Sequence, residues 1–121
     1  MAHIYIIDDS PTDVRVFTTL LEKAGHRVSS AASAEEGIAK IRRELPDLVI
    51  MDVIMPGMNG FQATRDLSRD AGTAGIPILI ITTKSMETDR VWGLRQGAKD
   101  FLTKPVESRD LLQRIDNLLQ S

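Results

Sequence analysis

Four stretches of this chain finish in residues able to bind metal and phosphate. Asp8 and Asp9 follow the apolar run Ile4–Ile7, and Asp52 follows Leu48–Met51. Thr82 and Thr83 follow Ile78–Ile81, and Thr103 and Lys104 follow Phe101–Leu102. Carboxylates gathered at one place repel, and each raises the cost of ionising the others. A hard divalent cation relieves that repulsion, and Mg²⁺ favours one or two carboxylates together with waters and phosphate oxygens. A carboxylate such as Asp52 can then attack phosphorus as a nucleophile and form an aspartyl phosphate. Lys104 offers a compact cation to a phosphoryl oxygen, and the Thr82 hydroxyl can donate to another. Each residue also has a plain structural reading as a helix cap, a turn residue or a β-former. The combination, acids to hold metal with a base and a hydroxyl to hold phosphate, points to a phosphate or metal site.

Those residues need a scaffold that brings the ends of the runs together. The runs Ile4–Ile7, Leu48–Met51 and Ile78–Ile81 are nearly continuous in apolarity, as expected of strands covered on both faces. Val28–Ala31 and Phe101–Leu102 are weaker candidates. The segments between them have helical period: Val14, Phe17, Thr18 and Leu21; Ile38, Ile41 and Leu45; and a C-terminal stripe of Leu111, Leu112, Ile115, Leu118 and Leu119. Ser10-Pro11 and the Ser33/Glu36 pair are helix-start signals. Gly25 and Gly97 stand where helices should stop. Helices near Gly60–Asp70 and Met86–Gln96 are less sharply patterned, the second weakened by Gly93. Five β-α units predict a flavodoxin-like (βα)5 three-layer α/β sandwich around a parallel five-stranded sheet. A short chain favours strand order 2-1-3-4-5, with ligands bound beyond the carboxyl ends of strands 1 and 3. Met51 is expected in the core and Met55 and Met58 in the loop beside the site. His3 and His26 are expected to lie far apart, which argues against a histidine metal site or a phosphorelay histidine.

Composition narrows the function classes. The 121 residues suit a single domain spanning 1–121, with no room for a separate effector module. A net charge of −2 and the lack of any Lys/Arg-rich tract give no basis for nucleic-acid binding. No run is long and apolar enough to span a membrane, and the N-terminus does not read as a signal peptide. The absence of cysteine suits the cytoplasm. Neither a Walker loop nor a Gly-x-Gly-x-x-Gly turn is present, so no nucleotide is expected.

Over nearly its whole length the chain resembles the CheY-like receiver domains of two-component response regulators. The matching residues are Ile7-Asp8-Asp9-Ser10, the run from Asp52 through Met55-Pro56-Gly57 to Asn59-Gly60, Thr82, Gly97-Ala98 and Lys104-Pro105. The resemblance implies that Asp52 is the phosphoacceptor. It implies that Asp9 directly, and Asp8 largely through water, hold Mg²⁺ with Asp52 and the Ile54 backbone carbonyl. Thr82 and Lys104 would contact the phosphoryl group, Phe101 would be the aromatic switch that turns inward on phosphorylation, and Lys104-Pro105 would be cis. A histidine kinase, CheA-like, would supply the phosphoryl group, and helix 4, strand 5 and helix 5 would form the output face. The segment Thr82-Thr83-Lys84, Glu87-Thr88-Asp89, Val91-Trp92-Gly93 and Arg95-Gln96-Gly97-Ala98 is similar to PilH-type regulators of type IV pili and twitching motility. Trp92 either packs along helix 4 or meets a partner. Receivers often carry polar or acidic groups where this chain has Ile54 and Lys84, so slow self-dephosphorylation is expected. The protein then either signals directly or drains phosphoryl groups from a shared kinase. A phosphohydrolase of the Asp-x-Asp kind would need an acid at position 54, where Ile54 stands. A phosphorylation-independent adaptor would have no use for the acids and Lys104.

Overall fold

The computed structural model describes residues 1–120; Ser121 lies outside the described residues. Strands β1 (His3–Ile7), β2 (Arg27–Ala31), β3 (Leu48–Met51), β4 (Ile78–Thr82) and β5 (Asp100–Thr103) alternate with five helices. The helices are α1 (Pro11–Lys23), α2 (Ala34–Glu44), α3 (Gly60–Arg69), α4 (Glu87–Gln96) and α5 (Ser108–Gln120). The strands form one parallel sheet in the order β2-β1-β3-β4-β5, the order expected from the sequence.

The two faces of the sheet account for the unbroken apolar runs. Ile4, Ile6, Leu48, Ile50, Leu79 and Ile81 point to one side, where α1 brings Phe17 and Leu21 and α5 brings Leu111 and Ile115. Tyr5, Ile7, Val49, Met51, Ile78 and Ile80 point to the other, against Ile38 and Ile41 of α2 and Ala63 and Leu67 of α3. Successive side chains alternate faces, and both faces are covered, so the three central strands are apolar at every position except His3 at the start of β1 and Thr82 at the end of β4. β2 and β5 are the edge strands. Arg27, Ser30 and Thr103 are exposed there, which explains their fainter signal.

Capping follows the sequence. The Ser10 hydroxyl accepts from Asp13 N–H (3.2 Å) with Pro11 at the first helical position, and Ser33 Oγ accepts from Glu36 N–H (3.2 Å). Asn59 caps α3 through Gln62 N–H (3.0 Å). Gly97 ends α4 at φ +118°, a conformation that suits glycine. The peptide bond between Lys104 and Pro105 is cis, as the resemblance implies.

Two expectations are corrected. Leu45 fits the helical spacing of Ile38 and Ile41 but does not extend the α2 core face. It is the left-handed cap of that helix at φ 48° and is exposed. Pro46 follows it, and the residue before a proline is disfavoured in the helical region, so the helix ends one residue short of the pattern. His3 and His26 do not lie far apart, because His3 pairs in register with Arg27 at the starts of neighbouring strands. His3 Nε2 meets Ser29 Oγ at 2.8 Å, and His26 Nδ1 accepts from Ala2 N–H at 3.2 Å. These partners, at the opposite end of the sheet from the acidic residues, account for both rings without a metal.

Candidate functional site

Register decides where the strands end. Ile7 lies beside Met51 and Thr82 beside Thr103, so the residues leaving β1, β3, β4 and β5 share one rim. The ladder continues one step into the loops: Asp8 N–H donates to Ala31 O (3.2 Å) and Asp52 N–H to Ile7 O (2.9 Å). The carboxylate stems are therefore held by the sheet itself. Asp8, Asp9 and Asp52 each bring a carboxylate oxygen within 4.8 Å of the others, a hard all-oxygen set of the kind that Mg²⁺ takes. Asp8 and Asp52 are buried, and Asp9 is exposed on the solvent side.

Lys104 reaches into this group from the end of β5. Its Nζ donates to Asp8 Oδ2 at 2.9 Å, Asp13 Oδ2 at 2.7 Å and Asp52 Oδ2 at 3.3 Å. Burial alone would lower the pKa of the ammonium, but the hydrogen bonds from Asp13 and Asp8 and the charge of Asp52 outweigh it and hold the pKa above the ordinary lysine range. Lys104 is therefore a fixed positive charge. For Asp8 the balance falls the other way. Burial raises the pKa of its carboxyl and Asp52 adds to the rise, against the opposing effects of the Ser10 N–H bond (2.9 Å) and Lys104.

The remaining predicted residues surround that centre. Thr82 is completely buried, and its Oγ1 accepts a long bond from Lys84 N–H (3.4 Å). Val53 N–H donates to Asp52 Oδ1 at 2.7 Å and fixes the orientation of that carboxylate. Gly60, at the start of α3, lies so close to the Asp52 carbonyl that a Cβ there would overlap it. Ile54 is exposed, presenting an apolar side chain on the loop after Asp52. Lys84 is turned toward the first turn of α4, its Nζ 3.5 Å from Asp89 Oδ1. Met51 is in the core as expected; Met55 is buried too, with Met58 packed against the same cluster.

Phe101 lies beneath α4. Its ring is buried in this structure. A Cβ at Gly93 would stand 3.2 Å from the Phe101 ring and 2.9 Å from Ile80, so the missing side chain in α4 leaves the seat that the ring occupies. Trp92, next to that glycine, is half exposed and lines a shallow pocket with Asn59, Phe61, Gln62, Arg65 and Gln96.

Asp13 was not among the residues the sequence singled out. An acidic residue in the first turn of a helix has a sufficient reason in the helix dipole. Only the position of α1 against β5 reveals the 2.7 Å bond to Lys104.

Comparison with known proteins agrees with this arrangement. The family model for the response regulator receiver domain matches residues 4–116. PilH of Pseudomonas aeruginosa is 56% identical over 119 residues, covering 98% of each chain. The response regulator PleD of Caulobacter vibrioides is 39% identical over 97% of this chain, which spans 26% of PleD. Among solved structures, a putative response regulator from Chloroflexus aurantiacus superposes with a TM-score of 0.95 at 33% identity, over 99% of this chain and 98% of that one. The chemotaxis protein CheY4 of Vibrio cholerae gives 0.91 at 30% identity, over 98% of both. This chain belongs to the response regulator receiver domain family of two-component systems.

Proposed function

We propose that the chain is a stand-alone receiver switch that takes a phosphoryl group on Asp52 from a CheA-like histidine kinase. The observation that carries this is the contact of Lys104 Nζ with both Asp8 and Asp52 at the rim of the Asp8/Asp9/Asp52 cluster. A cation is already in place where the transferred group would add negative charge, beside an all-oxygen set suited to a divalent ion.

In the step itself, a carboxylate oxygen of Asp52 attacks phosphorus, an O–P bond forms, and the P–N bond to the kinase histidine breaks. The departing imidazole nitrogen keeps the electron pair and takes up a proton. Val53 N–H holds the Asp52 carboxylate in orientation, Lys104 neutralises the incoming oxygens, and the Thr82 hydroxyl donates to one of them. Asp8, Asp9, Asp52 and the Ile54 carbonyl would hold Mg²⁺, which would supply charge neutralisation and alignment when bound. New acceptor oxygens near Thr82 favour the arrangement in which Phe101 is seated beneath α4 over arrangements in which it is displaced. A ligand shifts an equilibrium only by such differential contacts. The surface formed by α4, β5 and α5 carries the result to a partner.

Identity of 56% with PilH over the length of both chains supports a role in chemotaxis-like control of type IV pili and twitching motility. Draining phosphoryl groups from a shared kinase is the second reading. Cytoplasmic location follows from a kinase partner; among the described residues no helix is long and apolar enough to cross a membrane.

Incubation with Mg²⁺ and a small phosphodonor is the direct test. One acid-stable, hydroxylamine-labile phosphoryl group per chain is expected, and none in Asp52→Asn with the fold intact by circular dichroism. Labelling retained in that variant removes Asp52 as acceptor, and steady turnover of a phosphoester would replace the switch with a hydrolase.

A further inference from the structure

The Lys104 ammonium has three N–H donors, and all three go to carboxylates, the shortest bond to Asp13. On the proposed function above, the same ammonium must follow the phosphoryl oxygens, which lie beyond the Asp52 carboxylate. Moving Nζ toward them lengthens at least one of the other two bonds. Asp8 is poorly suited to give way. Its side chain is 2% exposed, and its other oxygen is tied to Ser10 N–H. Asp13 is suited. Its side chain is 36% exposed, so its charge regains water on release. It lies outside the cluster of three acids and borders an open groove beside Lys104, Thr83 and Val16.

We infer that Asp13 is a latch on Lys104: it holds the ammonium in the rim while Asp52 is unmodified and releases it when Asp52 carries phosphate. Asp13 is thus a positioning residue that acts through Lys104. It opposes phosphorylation slightly and ties the first turn of α1 to the state of the site. The helix does not depend on the latch for its start, because the cap is made by the Asp13 backbone N–H with Ser10 Oγ and not by the carboxylate. Asparagine at this position therefore keeps the cap and removes only the charge.

The test is titration with beryllofluoride, a tetrahedral stand-in for the phosphoryl group, at saturating Mg²⁺, with bound fluoride read by ¹⁹F NMR. Asp13→Asn is expected to tighten binding about threefold to fivefold, the weight of a partly exposed ion pair. Asp13→Glu, which keeps the charge, is expected to stay within about twofold of the parent. Glu107→Gln, in the loop after Lys104-Pro105, removes a charge that makes no side-chain bond to Lys104 and controls for general electrostatics. The Asp13 carboxyl ¹³C resonance is expected to move when beryllofluoride binds the unmodified sequence. Equal tightening in Glu107→Gln, weaker binding in Asp13→Asn, or an unmoved carboxyl resonance overturns the latch. A parent protein that binds no beryllofluoride overturns the phosphoryl reading itself, a separate result.

Discussion

Replacing Lys104 by methionine keeps most of the side-chain volume and removes the one cation shared by Asp8, Asp13 and Asp52. The Lys104 side chain is 12% exposed and those of Asp8 and Asp52 are 2% and 8%, so two buried charges lose their partner. Removing one member of such a buried pair costs about 3–5 kcal/mol. The more exposed contact to Asp13 adds at most about 1 kcal/mol. Against a typical domain stability of about 5–15 kcal/mol, the variant should fold at neutral pH with a clearly lowered urea midpoint. The deficit should depend on pH in a definite direction. Burial already raises the Asp8 pKa, and losing Lys104 raises it further. A carboxyl whose folded pKa is raised adds stability below its unfolded pKa, about 3.9, and loses that contribution as pH rises through the folded value. The gap between Lys104→Met and the parent should thus be smallest near the acid end and widen toward neutrality. Urea denaturation without divalent cations, over a pH series, measures it. Millimolar Mg²⁺ should then stabilise the variant more than the parent, since it restores positive charge to acids that have lost theirs. A deficit under about 1 kcal/mol at neutral pH would show that solvent already screens these carboxylates, against the premise taken from burial. A gap that widens as pH falls would refute the role given to Asp8.

Asp8→Asn should raise the urea midpoint of the cation-free protein while abolishing stabilisation by Mg²⁺. The neutral amide avoids the cost of burying charge and still accepts from Ser10 N–H, and Lys104 keeps Asp13 and Asp52 as partners. Ile54→Asn combined with Lys84→Glu should shorten the life of the aspartyl phosphate about tenfold, the weight of one charge-assisted hydrogen bond to the attacking water; decay of the labelled protein checks it, and an unchanged or longer life sinks the idea. Gly60→Ala should cost about 1–3 kcal/mol by thermal melting and slow labelling, because its Cβ would overlap the Asp52 carbonyl and push the acceptor segment. Labelling at the parental rate would mean that α3 moves instead of β3.

What could be read from the sequence divides along physical lines. The three central strands were plain because both faces are covered and their interior positions are apolar. The edge strands were faint because Arg27, Ser30 and Thr103 among them are exposed. Acids, hydroxyl and lysine at the strand ends were visible as residues, and parallel register turned their order in the chain into proximity. Besides the Asp13 contact with Lys104, three features were not visible. Leu45 matched the period of its helix while Pro46 ended it, a case where local backbone sterics override spacing. His3 and His26 became neighbours through the pairing of β1 with β2, which no local pattern encodes. The seat of Phe101 depends on Gly93, eight residues away in another element, and a glycine within a helical pattern reads as a weak point until the ring is found against it.

On the proposed function, the arrangement also separates accepting a phosphoryl group from keeping it. Asp8 and Asp52 are fixed by ladder bonds that continue the sheet, Asp8 N–H to Ala31 O and Asp52 N–H to Ile7 O. The crevice between them opens because the chain leaves β1 for α1 on one face and β3 for α3 on the other. Changing their spacing would disturb pairing across β2, β1 and β3, so their geometry is bound to the core. Ile54 and Lys84 are different. Ile54 projects from the loop after β3, and Lys84 is held by one exposed ion pair to Asp89, worth little to the fold. Substitutions at these two positions leave the ladder untouched and, on the proposed function, would alter what meets water at the phosphoryl group. On that reading the lifetime of the signal can change by single residues at almost no cost in stability, whereas the ability to accept it is tied to the strands that hold the domain together.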